Sequence, residues 1–232
     1  MNSIENITEG QVLLIDKPLH WTSFQVVNKM RFAIKKRFKL KKIKVGHAGT
    51  LDPLATGLLI ICTGKYTKKI DDYQALFKEY TGTIKLGNTT PSYDLETDFN
   101  EQFTYDHISD ELITKTTQQF IGEINQIPPT FSAIQKDGKR AYDMARKGQE
   151  MEMESRKVTV HQFEITRISL PEIDFSIQCS KGTYIRSIAH DFGKAMNSGS
   201  HLAALRRTKI GEFSVENALS LEQFLEQILE DN

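Results

Sequence analysis

The stretch GHAGTLDPLATG, residues 46 to 57, sets one carboxylate, Asp52, among glycines, hydroxyl residues and small apolar side chains. A residue before proline is held extended or in a turn, so the Asp52 side chain has one defined direction. Two chemistries compete for it. Either the carboxylate caps the turn toward Leu54 and Ala55, or it acts on a ligand. His47, the flanking glycines and the small Ala48 and Ala55 leave room for a polymer backbone to come close, which shifts the balance to the second. A solitary catalytic carboxylate needs a cation to hold it ionised and oriented. Arg186 in KGTYIRSI offers a planar fork for bidentate pairing, although a structural salt bridge explains the same residue.

Other chemistries find less support. TGKYT approximates a phosphate loop, but Gly57 and Gly64 are too far apart and Tyr66 stands where a magnesium-binding hydroxyl is needed. No cysteine and histidine spacing suggests a metal site, and no second acid accompanies Asp52, which argues against a small-molecule carbohydrate enzyme with paired carboxylates. Cys62 and Cys179 both lie in apolar or alternating segments and read as buried, reduced thiols.

The elements that must position these residues follow from hydrophobic period. QVLLIDKP predicts a buried strand stopped by Pro18; Thr22 or Ser23 then caps a helix with Val26, Met30, Ala33 and Ile34 inward. Residues 58 to 63 predict another buried strand, and TKKIDDYQAL a short helix with Ile70, Tyr73 and Leu76 inward. KEYTGTIKLG alternates Tyr80, Gly82, Ile84 and Leu86 on one face. A helix is expected from about Ser109 to Ile121, and a protruding loop with a short helix near Ala141 to Arg146. KVTVHQFEITRISL and IDFSIQCSKG predict two long strands joined through PE, and YIRSIAHDFGKAM an amphipathic helix. SLEQFLEQILED predicts a closing helix with a Ser220 and Gln223 capping box. This irregular mixture predicts an α+β fold with a mainly antiparallel mixed sheet flanked by helices, in one large domain or a domain with a small appendage.

A chain of 232 residues with 39% hydrophobic content can bury a substantial core. Its longest apolar run, Leu58 to Cys62, is too short to cross a bilayer, and the N-terminus lacks a secretion signal, so a cytoplasmic location is expected. The formal net charge is zero but unevenly spread. Arg31 to Lys44 is basic without an acid, KDGKRAYDMARKG adds a second basic stretch, and acids gather in DLETDFNE and at the tail. Such segregation gives a neutral molecule a positive face for phosphates.

GHAGTLDPLATGLLIICTGKYTK, KEYTGTIKLG, IPPTFSAIQKDGKRAYDMARKG, CSKGTYIRSIAHDFG and HLAALRRTKIGEFSVENALSLEQ, in this order, resemble the catalytic domain of the bacterial TruB family, the tRNA pseudouridine-55 synthases. The resemblance runs from about Val12 to Gln223. It implies a pseudouridine-synthase-like fold in a single catalytic domain over residues 1–232, and isomerisation of a uridine in the T loop of tRNA, with tRNA as partner, no cofactor, no metal and a monomeric enzyme. Asp52 matches the family's catalytic carboxylate and Arg186 the arginine paired with it. Tyr80 matches the aromatic that stacks on the extruded base, whereas its alternation fits a core tyrosine equally well; His47 matches the histidine that enters the RNA loop. Tyr184 and Leu205 match pocket-lining positions, and Lys17 reads as a structural or phosphate-side lysine. The segment at about 127–148 corresponds to an RNA-clamping insertion, and Arg31 to Lys44 supplies a further strip for the RNA backbone. Where the family often reads GHTG this chain has Ala48, and Pro91 replaces an acid, leaving Asp94 to align with a further polar contact. The extra C-terminal RNA-binding domain, of PUA type, that many relatives carry is not expected here. A tRNA-binding folding chaperone with incidental or lost catalysis would show the same binding residues.

Overall fold

The computed structural model describes residues 6–132, 134–136, 139–149 and 151–230. In chain order the elements are β1 (Val12–Lys17), α1 (Ser23–Arg37), β2 (Val45–Ala48), β3 (Ala55–Thr63), α2 (Ile70–Ala75), β4 (Lys78–Leu86), β5 (Asn88–Thr89), β6 (Glu101–Gln102), α3 (Asp110–Gln118) and β7 (Gly122–Gln126). There follow β8 (Gln135–Lys136), β9 (Lys139–Arg140), α4 (Ala141–Ala145), β10 (Arg156–Ser169), β11 (Glu172–Cys179), α5 (Ile185–Ala195), β12 (Ser200–Ile210), β13 (Phe213–Ser214), β14 (Leu219–Ser220) and α6 (Leu221–Glu230). The fold is α+β, with one large, mostly antiparallel sheet. The chain divides into two compact units: the first comprises residues 1–80 and 206–232, the second residues 81–205.

In the first unit β1 pairs with β14 and with β3, and β2 pairs with β3. β3 is buried on both faces, which explains its unbroken apolar run. Leu59 and Ile61 join a core formed by Val26, Met30 and Ile34 of α1 and by Leu221, Phe224 and Ile228 of α6. Leu58, Ile60 and Cys62 face a second cluster, against which the half-buried Ile70, Tyr73 and Leu76 pack, as their spacing predicts. α1 begins in a full capping box: the Thr22 hydroxyl accepts from Gln25 N–H at 3.1 Å and the Gln25 side chain accepts from Thr22 N–H at 2.7 Å. Such a cap contributes about 1 kcal/mol. Ser220 and Gln223 make the same reciprocal pair ahead of α6.

In the second unit β10 pairs with β11 and with β7. β10 and β11 form the long antiparallel hairpin read from their alternation, turning at Leu170 and Pro171. Phe163 of β10 meets Phe175 edge to face at 5.8 Å and Phe192 of α5 at 5.6 Å, so a ring cluster fixes the amphipathic helix on the sheet. Several elements lie outside the sequence expectations, the short strands β5, β6, β8, β9, β13 and β14 among them. β2 and β7 are short and lack apolar alternation, and β12 carries buried polar residues at inward positions. α3 ends at Gln118, earlier than Ile121, because the chain then turns into Gly122 at φ 97°. The short helix expected near residues 141 to 146 is α4. Within the clamp segment, Ala133, Asp137 and Gly138 lie outside the described residues.

Candidate active site

Asp52 stands in the loop between β2 and β3, and that loop is braced from three sides of the first unit. The turn is closed by main chain, Ala55 N–H to Asp52 O at 3.1 Å. Before the turn, Leu51 is buried and exchanges two hydrogen bonds with the Ser23 hydroxyl at the start of α1. Inside it, Pro53 O accepts from His20 N–H at 2.8 Å. Across it, the Arg207 guanidinium donates from Nε to Leu58 O at 2.8 Å and from Nη2 to Gly49 O at 3.0 Å. Arg207 is 1% exposed, and a buried guanidinium held by two carbonyls fixes the distance between them. Gly57 lies at φ 104° directly against the Arg207 backbone, where a Cβ would collide with its carbonyl oxygen. No other residue type lets the loop return to the sheet by that path.

Lys17, opposite Gly57 in the β1–β3 register, is fully buried and donates to Pro18 O at 2.9 Å and Trp21 O at 2.6 Å. Burial lowers its pKa to about 8; Asp52 and Asp16 oppose that drop and Arg207 adds to it. Asp16 is in turn held by Arg206 in a two-pronged pair at 2.6 and 3.1 Å. His47 lies on β2, half-buried, and burial with the Arg207 charge behind it holds its imidazole below the usual histidine range, hence neutral near pH 7. Tyr80 is buried on the β4 face that its alternation predicts.

The second unit holds Arg186, in the first turn of α5 and 3% exposed. Its Nη1 donates to Ser92 O at 3.0 Å, its Nη2 to Phe131 O at 2.9 Å, and its Nε faces Asp94 Oδ2 at 3.6 Å. Asp94 is itself 4% exposed and accepts from Glu96 N–H at 3.0 Å. The neighbouring Ser187 hydroxyl donates to Ile127 O at 2.8 Å, so both ends of the 127–131 stretch are tied to α5. Further along, the Tyr142 hydroxyl donates to Glu96 at 2.6 Å. Tyr184 caps α5, with its peptide N–H and C=O both bonded to the Gln126 side chain and the Arg156 guanidinium 4.5 Å over its ring. Leu205 is half-buried on β12.

Comparison with known proteins gives this arrangement its context. Residues 35–185 match the N-terminal domain model of the TruB family of pseudouridylate synthases, and residues 186–232 match the tRNA pseudouridylate synthase B C-terminal domain. The chain belongs to the TruB family. It is 63% identical to the tRNA pseudouridine synthase B of Flavobacterium johnsoniae over 97% of its own length and 98% of that relative's, and 54% identical to that of Phocaeicola vulgatus over 95% and 94%. Among solved structures it resembles an H/ACA ribonucleoprotein bound to a substrate RNA containing 2′-deoxyuridine (TM-score 0.69, 27% identity) and a Cbf5-Nop10-Gar1 complex (TM-score 0.69, 27% identity). It covers 97% and 98% of its own length there, but only 55% and 58% of those chains.

For a TruB-family chain, two features of the site were not foreseen from residue spacing. Arg207, which braces the Asp52 loop, stands in a doublet of arginines on a strand, a pattern that reads as surface cations; only its inward phase on β12 sets it apart. Asp94 and Arg186 lie 92 residues apart with nothing in the sequence to pair them, and the structure brings them together at 3.6 Å. Among the described residues no cluster of side chains suits a metal ion, and no helix is long and apolar enough to cross a membrane.

Proposed function

We propose that this protein is a tRNA pseudouridine synthase that isomerises uridine 55 of the T loop, with Asp52 as the catalytic carboxylate and Arg186 as the cation that orients it. The observation that carries the reading is the family match over nearly the whole chain, with the Asp52 loop inside the matched residues. The reaction breaks the N1–C1′ bond, turns the uracil and joins C5 to C1′; the proton on C5 is lost and N1 gains one. Nothing is added or oxidised, so the chemistry calls for no cofactor or metal.

As the base departs, C1′ becomes electron-poor, and a carboxylate can attack it, offset its charge or take the 2′ proton. All three need Asp52 ionised and fixed in space. Supporting this role are the main-chain closure of its turn, the braces from Ser23, His20 and Arg207, and the buried Lys17 cation that interacts with it. Preorganisation of this kind lowers the barrier because no rearrangement is needed at the moment of reaction. By resemblance, Tyr80 stacks on the extruded base, His47 fills the space it vacates, and Tyr184 and Leu205 line the pocket. A neutral His47 suits that task, since it enters a base stack without carrying a charge into it. Asp94 acts through Arg186, whose Nε it faces. Residues 127–148 clamp the RNA, and the protein works as a cytoplasmic monomer.

Asp52→Asn is the deciding variant. It keeps the size of the side chain, so tRNA binding is retained while pseudouridine formation, read by carbodiimide labelling and primer extension, is abolished. Equal product from both proteins would remove Asp52 from the mechanism and leave RNA binding as the function.

A further inference from the structure

The inward face of α1 is accounted for by the core, but its outward face is unlike an ordinary solvated helix. Phe24 and Phe32 are 64% and 69% exposed. At 100° per residue they fall about 80° apart on the same side as Gln25, Asn28, Lys29 and Lys36. Gln25, Lys29 and Lys36 are themselves exposed. A cavity of about 410 Å³ opens on this side, lined by His20, Trp21, Gln25, Asn28 and Lys29. From Pro18 to Leu51 the chain has nine lysines and arginines and no acid.

We propose that this face of α1 is a second RNA-docking surface, which takes unpaired nucleotides of the tRNA lying outside the T stem-loop. The proposal rests on the tRNA reading above and extends it to how much of the substrate is held. Charge selects a polyanion, because a stretch with nine lysines and arginines and no acid in its sequence, Lys29 and Lys36 exposed among them, repels a basic partner and attracts phosphates. The exposed phenyl rings select unpaired bases, since a base offers its face to a side chain only when it is unstacked. The cavity beside Trp21 gives such a base a recess with amide groups at its edge.

Position supports the same occupant. The first turn of α1 is joined to the Asp52 loop through Ser23 and Leu51, and His20 N–H bonds to Pro53 O just ahead of the helix. From that junction the 15-residue helix runs about 22 Å. An RNA with one nucleotide at Asp52 therefore meets this face with its neighbouring segments. A lipid surface would also meet the cations, but the apolar side of α1 is already spent in the core, and two separated rings give a membrane little to hold.

The test compares whole tRNA with an isolated T stem-loop, using the full chain. The exposed positions allow Phe24→Ala with Phe32→Ala, and separately Lys29→Gln with Lys36→Gln, without disturbing the core. The phenyl variant is expected to lose about tenfold or more in affinity for whole tRNA while binding and converting the T stem-loop as before. The lysine variant is expected to flatten the dependence of log affinity for whole tRNA on log salt by about 0.7 to 0.9 per lysine. Unchanged affinity for whole tRNA, equal losses on both RNAs, or a loss confined to anionic phosphatidylserine vesicles would each overturn the proposal. Failure of the tRNA reading itself would look different: the unaltered protein would form no pseudouridine in either RNA.

Discussion

Ser23 and Leu51 exchange a reciprocal pair of hydrogen bonds: Leu51 N–H reaches the Ser23 hydroxyl at 2.9 Å, and that hydroxyl donates to Leu51 O at 3.2 Å. One side chain thus satisfies both peptide groups of the buried residue that precedes Asp52. Ser23→Ala leaves both unpaired, at a cost of about 1–3 kcal/mol for each buried group that water does not reach. Thermal unfolding of the variant should shift down by several degrees, and kcat should fall more than KM rises. An unchanged melting point would show that the loop is held elsewhere.

Arg207 makes a sharper case, because its charge and its span can be separated. Arg207→Met removes the links to Gly49 and Leu58. Arg207→Lys keeps the charge but has no fork to hold both carbonyls. If span is what counts, both variants should lose at least tenfold in kcat while tRNA affinity changes little. Recovery of kcat in the lysine variant would instead assign the role to charge.

Lys17 ties stability to pH. With its folded pKa lowered to about 8 from 10.5, the unfolded chain binds a proton that the folded one has released anywhere between those values. Stability contributed by this group therefore rises with pH across that window and is flat below it. Denaturant titrations of the unaltered protein and of Lys17→Met from pH 7 to 10 should differ by that rise. Parallel curves would mean that Lys17 has an ordinary pKa.

Asp94→Asn keeps the shape of the contact with Arg186 and removes its charge. Since Asp94 faces Nε of a guanidinium already bonded to Ser92 O and Phe131 O, the expected effect is a several-fold fall in kcat with KM unchanged. A rise in KM alone would place Asp94 in RNA contact rather than behind Arg186.

How far the sequence carries depends on which periods survive. β1 is legible as a continuous apolar run packed on both faces, and α1, the β10–β11 hairpin and α6 by their apolar spacing, with side chains of known preference capping the helices. β12 is not, because Ser200, His201 and Arg207 are buried where apolar residues would be expected. Each finds a particular carbonyl: Ser200 that of Ala189, His201 that of Asn88, and Arg207 those of Gly49 and Leu58. Such partners lie on other elements or loops and leave no trace in local spacing. The same limit applies to the site. Asp52 stands out by residue type in a stretch of small neighbours, whereas the groups that hold its loop look like an ordinary serine, histidine and arginine until the strands are assembled.

The order in which the chain is made gives the Arg207 brace a last consequence. Gly49 and the guanidinium that holds it are 158 residues apart, and Leu58 is 149 from the same side chain. A nascent chain leaving the ribosome has its aspartate loop early but no strut for it until translation has passed residue 207. On the proposed mechanism, competence therefore arrives late in synthesis.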